Sequence, residues 1–301
     1  MKLSTRALLN LGLVIVAGMM VLLVMIDPGK ETEKHKTVSF LDKKTITHIL
    51  LHRANQEDLV LEKRDNTWYV TAPYQYPAND FKVDSLLQLV STESKAQYPV
   101  EQLDIVKYGL SEPKATVTLN HDQVFSFGST EPLQQQRYLR YHNTLHLITD
   151  TFYYQVAAPA TAFLNHTLIP GGTNITKIVV PKLTAELHEG KWTATPTPKE
   201  LSADQITAFI DAWRFAQALQ VAPYDGKPIT PTIKIYRQGE SSPLEFGAFI
   251  RGNDYVLVRN DLHLQFILSA DKRKDLLELP AKIELDNSKA AVNPAADEHR
   301  P

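Results

Sequence analysis

Ile46-Thr47-His48-Ile49 recurs as Ile175-Thr176-Lys177-Ile178, and Trp68-Tyr69-Val70-Thr71-Ala72-Pro73 recurs one residue shorter as Trp192-Thr193-Ala194-Thr195-Pro196. Further on, Phe127-Gly128 answers to Phe246-Gly247. Tyr138 with Asn143-Thr144-Leu145-His146-Leu147 answers to Tyr255 with Asn260-Asp261-Leu262-His263-Leu264. The offset falls from 129 at Ile46 to 124 at Trp68, 119 at Phe127 and 117 at Tyr138, as a duplication with small deletions would give. The body of the chain therefore reads as two copies of one unit, residues 45–170 and 171–286, hinged at Pro170-Gly171-Gly172.

Each copy carries the same series of elements. A strand opens it, at Ile46–Leu51 or Ile175–Val180, and a second stretch leads into the tryptophan. That stretch turns at Arg64-Asp65-Asn66 in the first copy and at Glu189-Gly190 in the second. A helix follows, because Val83, Leu86, Leu87 and Val90 fall at i, i+3, i+4 and i+7, as do Ile206, Phe209, Ile210 and Trp213. Asp80 is the expected N-cap of the first helix, and Ser202 with Gln205 forms a capping box for the second. Alternating strands return at Thr116–Leu119, Val124–Phe127, Tyr138–Tyr141 and Leu145–Ile148. In the second copy they fall at Ile233–Tyr236, Leu244–Ile250, Tyr255–Val258 and Leu262–Ile267. Asn143-Thr144 and Asn260-Asp261 occupy the expected tight turns, since Asn tolerates positive φ. Short helices close the copies near Thr151–Phe163 and Asp271–Leu277. The order β-β-α-β-β-β-β-α implies an α+β fold, each unit an antiparallel sheet with one or two packed helices.

With 301 residues, 43% of them hydrophobic, the chain can bury one large core or two modest ones. A net charge of −2 gives no reason to expect nucleic acid. Cysteine is absent, which excludes disulfides, thiolate metal sites, a cysteine nucleophile and an acylated lipoprotein cysteine. Residues 1–6 are basic, and Ala7–Ile26 are twenty residues without a charge. As a helix that run is about 30 Å long, the thickness of a bilayer's hydrocarbon core. A cleaved signal peptide is the competing reading, but no small-x-small site follows the apolar run before Asp27-Pro28-Gly29. The expectation is a single transmembrane helix with a cytoplasmic N-terminus. Residues 27–44 form a charged stalk, the body is periplasmic, and residues 287–301 are a disordered tail.

The Trp68 strand with Ala72-Pro73, the Asp84-to-Val90 helix, Tyr108-Gly109-Leu110 before Pro113, Phe127-Gly128 and Tyr138-Leu139-Arg140 occur in order. In this the chain resembles domain-of-unknown-function family 4340, over about residues 45–148. The second copy keeps the tryptophan, helix and Phe-Gly strand and lacks a Tyr-Gly-Leu element. The resemblance implies a bacterial envelope protein with one membrane anchor, of a kind that accompanies auxiliary subunits of gliding-motility-type ABC transporters. It implies no catalytic residues, and none are carried over.

Residues able to do chemistry are sparse. His142 and His146, with Asp150, are the best-spaced metal candidates, but the position matching His142 is Arg259, and a packed imidazole explains His146 equally well. His48 and His52 have the same spacing, and Lys177 stands where His48 would recur. No nucleophile elbow, phosphate-cradling glycine cluster or spaced carboxylate pair is present. Asn165-His166-Thr167 and Asn174-Ile175-Thr176 match a glycosylation pattern by chance. Trp68 and Trp192 read as large rings closing the core. Tyr74, Tyr76, Tyr98, Arg137, Tyr138, Arg140 and Tyr141 form an aromatic-basic set in the first copy alone, and are the candidate partner-binding surface. Half-buried strand residues are the alternative for these. The functional expectation is a non-enzymatic scaffold or accessory protein, without cofactor or metal, held in the bilayer through residues 7–26 and bound to a protein partner in the inner membrane or periplasm. The alternative is a periplasmic ligand-binding or sensing module using the cleft between the two units.

Overall fold

The computed structural model describes Gly12 and residues 14–22, 36–171, 174–198 and 201–281. Its first sheet contains β1 (His48–Arg53), β2 (Leu59–Arg64), β3 (Thr67–Ala72), β4 (Tyr76–Pro77), β5 (Ala96–Pro99), β6 (Ala115–Leu119), β7 (Gln123–Thr130), β8 (Gln136–Tyr141) and β9 (Thr144–Thr149). Their order is β4-β3-β2-β1-β6-β7-β8-β9-β5. The second contains β10 (Ile175–Val180), β11 (Leu183–His188), β12 (Lys191–Thr195), β13 (Gln220–Pro223), β14 (Ile233–Arg237), β15 (Leu244–Arg251), β16 (Asp254–Arg259) and β17 (Leu264–Ser269). Here the order is β12-β11-β10-β14-β15-β16-β17-β13. Matched strand for strand, the two orders coincide, and only β4 has no counterpart. Besides helical residues 12 and 14–22, the α-helices among the described residues are α1 (Asp80–Leu87), α2 (Thr151–Val156), α3 (Ala203–Arg214) and α4 (Lys272–Leu277). Duplicated antiparallel sheets with few helices are thus the architecture.

By packing, the chain divides into two compact units. One takes Ile46 and the residues before it with Leu86–Val156, and the other takes Thr47–Ser85 with the residues from Ala157 on. In the latter, α3 buries Ile206, Phe209, Ile210 and Trp213, the stripe its 3.6-residue period demands. Ser202 and Gln205 form the capping box. The Trp213 indole N–H donates to the Leu276 carbonyl at 2.9 Å, which ties α3 to α4. From Trp213 a chain of rings runs through Phe246 (6.1 Å) and Phe266 (6.5 Å) to Tyr76 (5.7 Å). Each such buried ring contributes roughly 2–3 kcal/mol of transfer free energy. The Tyr76 hydroxyl donates to the Thr167 carbonyl at 2.7 Å. Burial pushes that phenol up to about 12, so it stays a donor.

The other unit is organised around β7, β8 and β9, which bury Phe125, Phe127, Leu139 and Ile148. Lys36–Ser39 lie against its edge: Ser94 N–H donates to Lys36 O at 2.7 Å, Val38 N–H to Thr92 O at 2.9 Å, and Ser39 Oγ to Val90 O at 2.7 Å. His146 is buried on β9 with Nδ1 3.0 Å from Ser94 Oγ. The Ser94 hydroxyl donates its one proton to Ala96 O at 2.9 Å, so His146 Nδ1 must be the donor and Nε2 carries the bare lone pair. That Nε2 is buried without a partner, and a proton placed there would have no acceptor.

Several sequence expectations change. The β8–β9 turn is His142-Asn143, with the positive φ on His142 (49°), one residue earlier than Asn143-Thr144. Asn79 caps α1, its Oδ1 accepting from Lys82 N–H at 3.3 Å, while Asp80 is already the first helical residue. The helix expected to run to Phe163 ends at Val156, and a 3-10 turn follows at Ala160–Phe163. Strands β4, β5 and β13 are additional. They are too short for an alternating pattern to reveal, and each contains a proline. His146 also does not match His263. Val100 N–H donates to Asn143 O as Tyr224 N–H donates to His263 O, so His263 matches Asn143 and Phe266 matches His146. The second hairpin spans Asn260 to His263, four residues against two, and the recurring letters lie three residues out of the structural register. A slip by an odd number moves every side chain to the other face of the sheet.

Gly12 and residues 14–22 are helical, with Val14, Ile15, Val16, Met19, Met20, Val21 and Leu22 57–68% exposed. No helix among the described residues is long and apolar enough to cross a membrane. The expected residues 1–6, the rest of the 7–26 run, stalk residues 27–35, Gly172, and residues 282–301 including the tail lie outside the described residues.

Burial holds the His146 imidazole down at about 4, against 6.5 in an unfolded chain. Between those values the unfolded state binds a proton that the folded state refuses, so stability falls as pH drops from about 6.5 to about 4 and then levels. The expected loss is on the order of 3 kcal/mol. Urea unfolding at a series of pH values, compared with His146→Leu, measures it. Parallel pH profiles for the two proteins would show that His146 is not the titrating group.

Candidate partner-binding cleft

The outer face of β5, β9 and β8 forms the floor of an open cleft of about 560 Å³. Strand alternation decides which side chains lie there. Tyr98 pairs with Leu145, and Ala96 with Leu147, which in turn faces Tyr138. Arg137, Leu139, His146 and Ile148 point the other way and are buried.

Two segments wall the cleft. The first, residues 100–114 between β5 and β6, contains the 3-10 turns Val100–Gln102 and Ile105–Tyr108. Asp104 caps the latter by accepting from Val106 N–H at 3.2 Å, and Gly109 ends it at φ 66°. Val100, Leu110 and Leu145 are buried there, with Leu103, Ile105, Tyr108 and Tyr138 packed on them. The Tyr108 and Tyr138 rings meet edge to face, 4.8 Å apart at 75°. The second wall is the β7–β8 loop, residues 131–135, where Glu131 accepts from Leu133 N–H at 3.0 Å and Gln134 N–H at 2.7 Å. Those bonds hold Leu133 out over the cleft at 90% exposure.

Both walls belong to the first copy. Between β13 and β14 only residues 224–232 intervene, nine against fifteen, and between β15 and β16 only Gly252 and Asn253, two against five. The copies share the floor's topology and differ in what stands on it.

Gly128 seats the first wall. A Cβ at this position would fall on the Tyr108 carbonyl oxygen and on the Leu110 side chain, and a Cβ on Gly109 would press on Ser129. The Phe127-Gly128 and Tyr108-Gly109-Leu110 motifs are therefore two sides of one backbone contact. Arg137 fixes the bulge beneath it. Its Nη1 donates to Gly128 O at 2.9 Å, while Nε and Nη2 grip Asp150 at 2.7 and 2.9 Å. The guanidinium also stacks 4.0 Å from the Tyr153 ring. Burial first, then Glu131, Tyr108 and Tyr98, push the Tyr138 phenol up, so it remains protonated and able to donate.

Of the aromatic-basic set, Tyr98 and Tyr138 line the cleft. Arg140 follows Tyr138 on the same face of β8, its Nε donating to His142 O at 3.1 Å. Arg137 and Tyr141 face inward. Tyr141 stacks on Phe125 at 4.4 Å and donates to Gln123 Oε1 at 2.6 Å. Tyr76 is buried in the other unit, and Tyr74 is half-buried there, its phenol pushed up by burial and by Glu57. Tyr108, Leu103 and Leu133 also line the cleft and lie outside the expected set. The available signal was that the Tyr-Gly-Leu element occurs once while its Phe-Gly contact occurs twice.

His142 is exposed, 4.1 Å from the Tyr141 ring, while His146 is directed at Ser94, and His52 pairs with Asp58 at 2.7 Å. Among the described residues no group of three or more His, Asp or Glu could hold a metal ion. Trp68 is buried, with the Lys63 ammonium 6.0 Å from its ring, and Trp192 is half-buried.

Gly128→Ala should cost about 1–3 kcal/mol and displace the first wall, because a backbone carbonyl cannot yield as a side chain can. Limited trypsin digestion reads this directly: cleavage after exposed Lys107 should accelerate. Gly247→Ala, whose added Cβ would meet Ile229, should lower stability without that change. Unaltered Lys107 cleavage in Gly128→Ala would mean that the wall is held by something else.

No curated protein and no solved structure matches this chain. A family match covers residues 68–228, more than half of the chain, from the first tryptophan strand to the segment after β13. It takes in Tyr108-Gly109-Leu110, Phe127-Gly128 and both walls of the cleft. The chain belongs to the family described as Domain of unknown function (DUF4340).

Proposed function

We propose that this protein is a single-pass bacterial inner-membrane accessory protein, with its N-terminus in the cytoplasm, whose periplasmic body docks a protein partner in the first-copy cleft. The observation that carries the reading is the restriction of both walls to one copy. Duplication preserves what folding needs, and the walls are what one copy has beyond that. An exposed leucine over a tyrosine-lined floor fits an interface core, where aromatic and large apolar side chains concentrate. The anchor is supported by the uncharged run Ala7–Ile26 and by the outward apolar side chains of residues 14–22. The family resemblance suggests a membrane complex of the ABC-transporter kind as the partner.

Two measurements on native membranes test this. Carbonate extraction should leave the full chain in the pellet and release a variant lacking residues 2–26. A full chain that is released has no anchor. A photo-crosslinking residue replacing Leu133 should yield one discrete adduct with a membrane protein, lost when Ala7–Ile26 is exchanged for an unrelated span. The same probe at Phe215, exposed in the other unit, should not give that adduct. Identical patterns from the two positions would remove the cleft from the reading.

A further inference from the structure

Resting on that docking reading, we infer that the cleft's occupant is a proline-rich segment of the partner, free of acidic side chains, in an extended polyproline conformation. Lys95 is paired with Glu93 at 2.7 Å, and both Glu131 carboxylate oxygens are taken by backbone N–H groups of their own loop. Gln136 Nε2 donates to Gln134 Oε1 at 2.6 Å, leaving the Gln134 amide N–H₂ and the Gln136 carbonyl oxygen. Among the described residues no hydrogen bond occupies the Tyr98, Tyr108 or Tyr138 hydroxyl. The cleft thus presents phenol donors and one amide among leucines; its lining lysine, Lys95, is paired, and Glu131 keeps a negative charge that neutral N–H donors do not cancel. An acidic ligand would lose its hydration, find no unpaired lining cation and meet the Glu131 charge.

Shape decides the rest. Tyr108 and Tyr138 meet at 75° and form a corner, not a flat platform. A pyrrolidine ring fits such a corner. A pyranose needs an open aromatic face to stack on, and Tyr108 and Tyr138, in edge-to-face contact, do not form one. Adding a strand to the neighbouring edge is also poorly served. Pro99 ends β5 and has no N–H, while Gln97 Nε2 reaches across to Thr37 O at 3.4 Å. A polyproline helix needs no pairing edge. Its carbonyls have no internal partners and can accept from tyrosine hydroxyls, and its stiffness lowers the entropy lost on binding.

The test uses the full chain in detergent and a fluorescein-labelled neutral peptide, acetyl-Ala-Pro-Pro-Leu-Pro-Pro-Ala-amide, followed by anisotropy. Saturable binding is expected. Tyr98→Ala and Leu133→Ser, both at exposed positions that the fold does not need, should each weaken it by about tenfold. Tyr154→Ala, exposed on α2 and away from the cleft, should leave it unchanged. Lack of saturation, or equal weakening by all three substitutions, would overturn the inference. So would chitohexaose binding that Tyr98→Ala abolishes while the peptide does not bind, since the occupant would then be a glycan. A Leu133 crosslink to a membrane protein without peptide binding rejects the proline-rich occupant alone. Loss of both rejects the cleft itself.

Discussion

A missing side chain governs the outer face of the first sheet. Because Gly128 has no Cβ, the β7 backbone can touch the Tyr108 carbonyl, and the 105–110 turn can lie flat on the strand. Leu110 then reaches Leu145, Tyr108 reaches Tyr138, and a flat sheet face becomes a walled one. Arg137 holds the same carbonyl-bearing bulge from the inside, through Gly128 O and Asp150. Close backbone approach above and a buried guanidinium below are complementary demands on one residue. They explain why glycine and arginine sit nine positions apart across a hairpin.

Duplication shows what such a unit needs and what it can do without. Eight strands in the same order, the tryptophan strand, a helix with a buried apolar stripe and the Phe-Gly bend occur in both copies, although in the first the α-helix ends at Leu87 and Val90 lies in the 3-10 turn Gln88–Ser91. Even the proline ending the edge strand recurs, as Pro99 and Pro223. Gly247 meets Ile229 where Gly128 meets Tyr108, so the close contact survives although the wall above it does not. The first copy adds two longer connections, and it adds β4, whose Tyr76 ring extends the aromatic chain of Trp213, Phe246 and Phe266.

Much of this was legible because period and burial are linked. The stripe Ile206, Phe209, Ile210 and Trp213 has the spacing of a helix face, and all four are buried. The turns at Asp65-Asn66 and Glu189-Gly190 carry the positive φ values that their residue types invite. Register across the second hairpin was not legible. Asn-x-Leu-His-Leu recurs as letters, yet the loop grew by two residues and His263 moved out of the strand. Likewise nothing local marks Ala96-Gln97-Tyr98-Pro99 as a strand, since only the β9 edge makes it one.

The sequence by itself determined the duplicated antiparallel units, the helix faces and the family, because these follow from side-chain periodicity and from motifs a few residues long. Tertiary structure alone decided which tyrosines are available. Tyr98, Tyr108 and Tyr138 converge on the cleft while Tyr76 and Tyr141 are committed within the fold, and no spacing distinguishes them. The physical reason is that a side chain's face on a sheet depends on register. Register is set by loop lengths and by contacts between residues far apart in the chain, which no short window contains.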